Sequence, residues 1–247
     1  MATLIAIFTG LGEDAYRWLF HRKPAKPVTV TADVVNGDPD CSPFVVAQSP
    51  RNFEKVISGK SDEDVMEIIK TRGAPAEETL VDLTVQGATP DQAVQLTDLR
   101  VIIESRGEPR GFHLGGFCEA ALAPRGYVVD LDRRLPKPSP VPVPVGSPFA
   151  SPEPSPSVTT PPNFPYKVSS LEAEYLRLRV STTSCDCLWH LELDWNSQGA
   201  SGTIKIDDLG KPFHTISSKG LPHYDSVING HLVRTDDLIS PPATPGA

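Results

Sequence analysis

One run of eleven residues constrains this chain more than any other: Cys185-Asp-Cys-Leu-Trp-His-Leu-Glu-Leu-Asp-Trp195. Cys185, Cys187, Trp189, Leu191, Leu193 and Trp195 alternate with Asp186, His190, Glu192 and Asp194. A period of two is that of a strand whose side chains point to opposite faces. One apolar and one polar face are expected of an antiparallel sheet packed on one side and wet on the other.

The same alternation recurs along the chain. Val28, Val30, Ala32 and Val34 alternate with Thr29, Thr31 and Asp33, and Phe44 to Ala47 suit a short second strand. Val81, Leu83 and Val85 make another, and Val94 and Leu96 continue the pattern. Leu99, Val101 and Ile103 then take the other parity, so a bulge or bend is expected at Thr97–Asp98. Tyr127, Val129 and Leu131 follow, then Leu176, Leu178 and Val180. After residue 195, Gly-bearing turns lead into Thr203–Ile206 and Pro212–Ile216. Closely spaced strands with short turns are the pattern of a sandwich. The expected fold is mainly β: an antiparallel β-sandwich, Ig-like or similar, of roughly eight strands over residues 27–220.

Two helices are expected. Within residues 50–72 the period changes, and Ser61 before Asp62, Glu63 and Asp64, with Lys70 and Arg72 near Gly73, marks one short internal helix. Gly73 is expected as its C′ residue. Residues 1–23 carry Leu4, Phe8, Leu11, Ala15, Trp18 and Leu19 at helical spacing, with Arg22 and Lys23 after them. That amphipathic segment docks on the domain, on a protein partner, or on a membrane with Trp18 and Phe20 at the interface. The uncharged stretch before Glu13 and Asp14 is too short to span a bilayer, which takes about 20 apolar residues.

Residues 136–165 hold 12 prolines, too many for a central strand, and are expected to be a disordered insertion. Such a run can serve as a ligand for SH3- or WW-like grooves, but an insertion between strands is the simpler reading. From Leu221 to Ala247 a flexible tail is expected. The net charge of −8 without a basic stripe argues against nucleic-acid binding.

Chemistry is sought first in the central strand. Cys185, Cys187 and His190 invite a zinc reading. Parity places both cysteines with the tryptophans and His190 on the opposite face, so the cysteines read as core residues. A direct disulfide between them is disfavoured, because side chains two apart on a strand sit too far apart. Pairing with Cys41 or Cys118 is not required in a reducing cytoplasm, the simplest setting for four cysteines without disulfide-rich spacing. Around His190, the carboxylates Asp186, Glu192 and Asp194 could perform acid–base chemistry or bind a cation, although a solvated sheet face has the same composition. Asp207-Asp208 before Gly210 reads as turn chemistry. His214, His223 and His231 show no ligand spacing, and no G-x-S-x-G, S-x-x-K or Walker loop occurs. No cofactor is expected.

The run 185–195, followed by Gly202-Thr-Ile-Lys-Ile-Asp-Asp-Leu-Gly-Lys-Pro-Phe-His-Thr215, resembles a group of uncharacterised proteins from Streptomyces and related actinobacteria. Pro27–Thr31, Leu83–Gly87, Val129–Asp132 and Phe164–Tyr166 are also similar, so the resemblance spans a domain from about residue 27 to 220. It implies a hydrophobic N-terminal segment with a basic stop before the first strand. It implies no activity. The expected role is a non-catalytic binding or sensing module, held at the inner face of the plasma membrane or to a protein partner through residues 1–23. The alternative is an enzyme or cation-binding protein using His190, Glu192 and Asp194.

Overall fold

The computed structural model describes residues 27–36, 42–90, 93–115, 126–141 and 164–234. The helix expected over 1–23, Cys41, Cys118, the insertion from 142 to 163 and the chain beyond 234 lie outside the described residues.

In chain order the elements are β1 (Val28–Val34), β2 (Phe44–Val46), α1 (Pro50–Ile57), α2 (Asp62–Arg72), β3 (Gly73–Pro75), β4 (Glu78–Gly87), β5 (Val94–Gly107) and β6 (Phe112–Leu114). Then come β7 (Gly126–Asp130), β8 (Ser139–Val141), β9 (Tyr166–Val168), β10 (Glu174–Ser181), β11 (Asp186–Ser197) and β12 (Ala200–Ile206). The last are β13 (Phe213–Ile216), β14 (His223–Tyr224), β15 (Ser226–Ile228) and β16 (His231–Val233). The fold is mainly β, with antiparallel pairing dominant and two described helices.

Two sheets share one core. The first has the order β1-β4-β10-β7-β8, and the second β12-β11-β5-β9, with β13 also paired to β11. Val81, Leu83 and Val85 of β4 and Leu176, Leu178 and Val180 of β10 join Leu99 and Val101 of β5 and Cys187, Trp189, Leu191 and Leu193 of β11 in a single buried cluster. Each such aliphatic or aromatic side chain taken from water contributes roughly 1.5–3 kcal/mol. The alternation read in 185–195 is the inner face of β11. Trp189 is fully buried, and its Nε1 donates to Thr215 Oγ1 at 3.0 Å.

The expected phase change falls where it was read. Asp194 pairs with Asp98 and Trp195 with Leu96, so Thr97 is an extra residue in β5. A second irregularity pairs Leu188 with Ser105 and Trp189 with Ile103, leaving Glu104 as the extra residue.

A third sheet, β14-β6-β2-β3, packs against α1 and α2 through Phe44, Phe53, Ile57, Val65, Ile69 and Phe112. The stretch 50–72 thus holds two helices where one was expected. Pro50 opens α1 at its first turn, and Gly59 at φ +72° separates α1 from α2. Ser61 caps α2 by accepting from Asp64 N at 3.2 Å. Gly73 is extended rather than left-handed; a Cβ there would meet Ile69 O and Val45 O at 2.9 Å, so close approach explains the glycine.

The expected disordered insertion and flexible tail both yield ordered chain. Ser139–Val141 pairs with β7 at the outer edge of the first sheet, where a proline's missing N–H does no harm. From Leu221 the chain continues through β14 and the β15–β16 hairpin, whose Val227 and Leu232 pack on the helical core. Asn229 and Gly230, at φ 50° and 77°, form its turn, and Asn-Gly is a strong hairpin signal even in a weakly apolar stretch.

Candidate functional site

The outer face of the second sheet carries the residues singled out for chemistry. Cross-strand register stacks them in rows: Lys167–Gln95–Asn196, then Asp98–Asp194–Thr203, then Arg100–Glu192–Lys205, then Ile102–His190. His190, Glu192 and Asp194 share this face, as parity requires. Asp186 stands further along it, and its Oδ1 lies 2.6 Å from His214 Nε2.

Glu104, Glu192, Asp194 and Asp207 are engaged with cations. Arg100 Nη2 stands 3.0 Å from Glu192 Oε2 and 2.9 Å from Asp194 Oδ1, which also accepts from Thr203 Oγ1 at 2.6 Å. Lys205 Nζ lies 3.0 Å from Glu104 Oε1 and 3.8 Å from Asp207 Oδ2. His190 Nδ1 meets the same Glu104 oxygen at 2.8 Å, and its Nε2 is 3.8 Å from Glu192. The Lys205 ammonium, followed by His190, holds the Glu104 carboxyl below its ordinary value, and Glu104 in turn raises Lys205.

Sequence reasoning did not single out Glu104. It has the parity of Asp98, Arg100 and Ile102, so the alternation of β5 already puts it on this face, next to the second irregularity of the ladder. The even-numbered alternation Asp98, Arg100, Ile102, Glu104 carried that signal.

The proposed thiolate–imidazole set does not assemble. Cys185 and Cys187 are joined to each other in a disulfide, with Cα atoms 5.4 Å apart. That corrects the expectation that a direct disulfide between them is disfavoured. Cys185 lies just outside β11, so the pair does not have the full two-residue rise of a regular strand, and the separation falls within the disulfide range. The turn before it is held by Asp132, which accepts from Thr182, Thr183 and Ser184 hydroxyls at 2.7, 2.7 and 2.6 Å and from Thr183 N at 2.8 Å. Burial would raise the Asp132 carboxyl, but the hydroxyls and the N–H outweigh it and hold it far below the usual carboxylate range. Both sulfurs are buried with the core, as expected, and His190 turns away to Glu104. Among the described residues no three His, Cys, Asp or Glu side chains form a set that could hold a metal ion.

Asp207 behaves as turn chemistry predicts, its Oδ1 accepting from Gly210 N at 2.9 Å. His223 and His113, 110 residues apart, are brought side by side, a pairing that no spacing could reveal. At one end of the polar face a cavity of about 380 Å³ is lined by Ala93, Gln95, Tyr166, Lys167, Asn196 and Gln198 among others. A smaller one of about 140 Å³ lies beside His214, Asp208 and Lys70. Neither is lined by Glu192, Asp194 or His190. No helix among the described residues is long and apolar enough to cross a membrane. No protein-family model matches this chain, and no curated protein matches it.

Proposed function

We propose that this chain is a non-catalytic binding or sensing module that uses the outer face of its second sheet. The carrying observation is charge compensation on that face. Arg100 lies between Glu192 and Asp194, and Lys205 between Glu104 and Asp207. A general acid or a cation ligand needs a carboxylate open to substrate or ion, and these are occupied. What the face offers is a ladder of fixed polar side chains running to the cavity at Gln95 and Asn196. Its volume suits a small molecule or a short segment of a partner, and its amides and Lys167 suit a ligand rich in hydrogen-bonding groups.

The test is a thermal-shift screen of the full chain against short peptides and soluble oligosaccharides, followed by calorimetry on any hit. A hit weakened by Gln95→Ala with Asn196→Ala, and indifferent to Glu192→Gln, supports the reading. Turnover of a hit that requires Glu192 or His190 sinks it.

Attachment through residues 1–23 to the cytoplasmic face of a membrane, or to a protein partner, belongs to the same proposal and rests on the amphipathic spacing of that segment. Cells expressing the chain with and without residues 1–23 are fractionated. Equal recovery of both forms in the soluble fraction overturns membrane attachment.

A further inference from the structure

Parallel pairing of β14 with β6 sets His223 directly beside His113. The rings stack with centroids 4.6 Å apart and planes 26° from parallel, and the two Nδ1 atoms face one another in a hydrogen bond. One nitrogen must carry the proton and the other must accept. Asp225 decides which. Its Oδ1 lies 3.0 Å from His223 Nε2, so that nitrogen is the donor, and neutral His223 presents a lone pair at Nδ1. His113 is left as the Nδ1–H donor, with its lone pair at Nε2.

The pair therefore has room for one added proton, at His113 Nε2. A second must go onto His223 Nδ1, the nitrogen that accepts the contact. That sets N–H against N–H between two stacked cations. We propose that His113 and His223 form a proton-operated latch, which docks residues 222–234 onto β6 at neutral pH and releases them in mild acid.

Besides the packing of Tyr224, Val227 and Leu232 on the helical core, described hydrogen bonds hold the latched segment at its two ends. His113 N donates to Pro222 O at 2.8 Å and Gly115 N to Tyr224 O at 2.9 Å. Leu232 N donates to Glu54 Oε1 of α1 at 3.0 Å, and the Phe112 and Tyr224 rings meet edge-on at 5.5 Å. The charged groups around the pair are Glu77, from the connection before β4, and Asp225; opposite His113 on β2 is the apolar Val45. Within the segment, His231 lies 3.8 Å from Glu54 and Arg234 lies over Tyr224. Burial, then the charge of His223, hold the His113 imidazole below its ordinary value against the pull of Glu77 and Asp225. Detached, the His113 imidazole titrates at about 6.5, so the detached state takes up more protons there and docking weakens as pH falls through that value. The latch stands on this geometry alone and does not depend on the binding face of the second sheet.

Hydrogen exchange of the full chain, with EDTA present, reads the latch. Between about pH 7.5 and pH 5, after correction for intrinsic rates, the amides of His113, Gly115 and Leu232 lose protection about tenfold, while those of β4 and β10 do not change. In His223→Gln that pH dependence is smaller, because the burial of His113 remains and the imidazole pair does not. Equal protection at both pH values, or an unchanged loss in the variant, overturns the proposal. If the variant does not fold, imidazole nitrogen shifts of the unaltered protein decide. His113 is protonated at Nδ1 and His223 at Nε2 at neutral pH; two Nε2–H tautomers sink the latch.

Discussion

Glu104 Oε1 reaches His190 Nδ1 at 2.8 Å from a position in β5 that has no partner across the ladder to β11. The same oxygen takes Lys205 Nζ at 3.0 Å, and that ammonium is the leading cause of the lowered Glu104 carboxyl. Replacing Lys205 with Met is expected to move the Glu104 midpoint up toward its ordinary 4.5, read by carboxyl carbon NMR titration. The sign for stability follows. A carboxyl depressed in the folded state stabilises above its unfolded value, and that contribution is lost as pH falls through the folded one. An unmoved midpoint in Lys205→Met would assign the depression to His190 instead.

Thr215 holds the buried indole in place. Thr79 Oγ1 donates to His214 O at 3.0 Å, so the 2.6 Å contact between the two hydroxyls must run from Thr215 to Thr79. Thr215 then accepts from Trp189 Nε1 at 3.0 Å. Thr215→Val strands a buried N–H and is expected to destabilise the protein by about 1–3 kcal/mol. Thr215→Ser keeps the hydroxyl and most of the stability. Urea unfolding followed by tryptophan fluorescence separates the two variants, and equal losses would mean that the methyl, not the hydroxyl, matters.

The strands of the sandwich were legible because burial on one face writes a period of two into Val28–Val34, Thr79–Gly87 and Cys185–Trp195. Even the bulge at Thr97 left a readable parity change. Three-residue strands such as Phe112–Leu114 and Tyr166–Val168 are too short for any period to register. The polar face could be predicted strand by strand. Its partners could not, since Arg100 and Glu192 meet only through a pairing fixed by the whole sheet. The Cys185–Cys187 bond is hidden from the sequence because unbroken alternation implies a regular strand up to Cys185, whereas the ladder begins one residue later.

That bond has a direct check. Alkylation of denatured protein without reductant is expected to leave Cys185 and Cys187 unmodified, and prior reduction should label both. Because the closed loop is so short, the chain-entropy contribution is small, about 1.5–2 kcal/mol. Cys185→Ala with Cys187→Ala is therefore expected to lower the urea midpoint modestly and leave the circular dichroism of the sandwich unchanged. Free labelling of both thiols before reduction would refute the bond.

On the far side of the first sheet, Asp82 and Arg177 face each other across β4 and β10 with side chains only 11% and 14% exposed. The guanidinium contacts both carboxylate oxygens, Nε at 2.5 Å and Nη2 at 2.6 Å, and Tyr175 Oη donates to the same carboxylate. Removing one partner leaves a desolvated charge, so Asp82→Ala is expected to destabilise by about 3–5 kcal/mol. Replacing both, as Asp82→Ala with Arg177→Met, removes the stranded charge along with the pair. The double variant should be more stable than Asp82→Ala, in a cycle read by thermal unfolding. Strict additivity of the single losses would show that the two groups do not act as a pair.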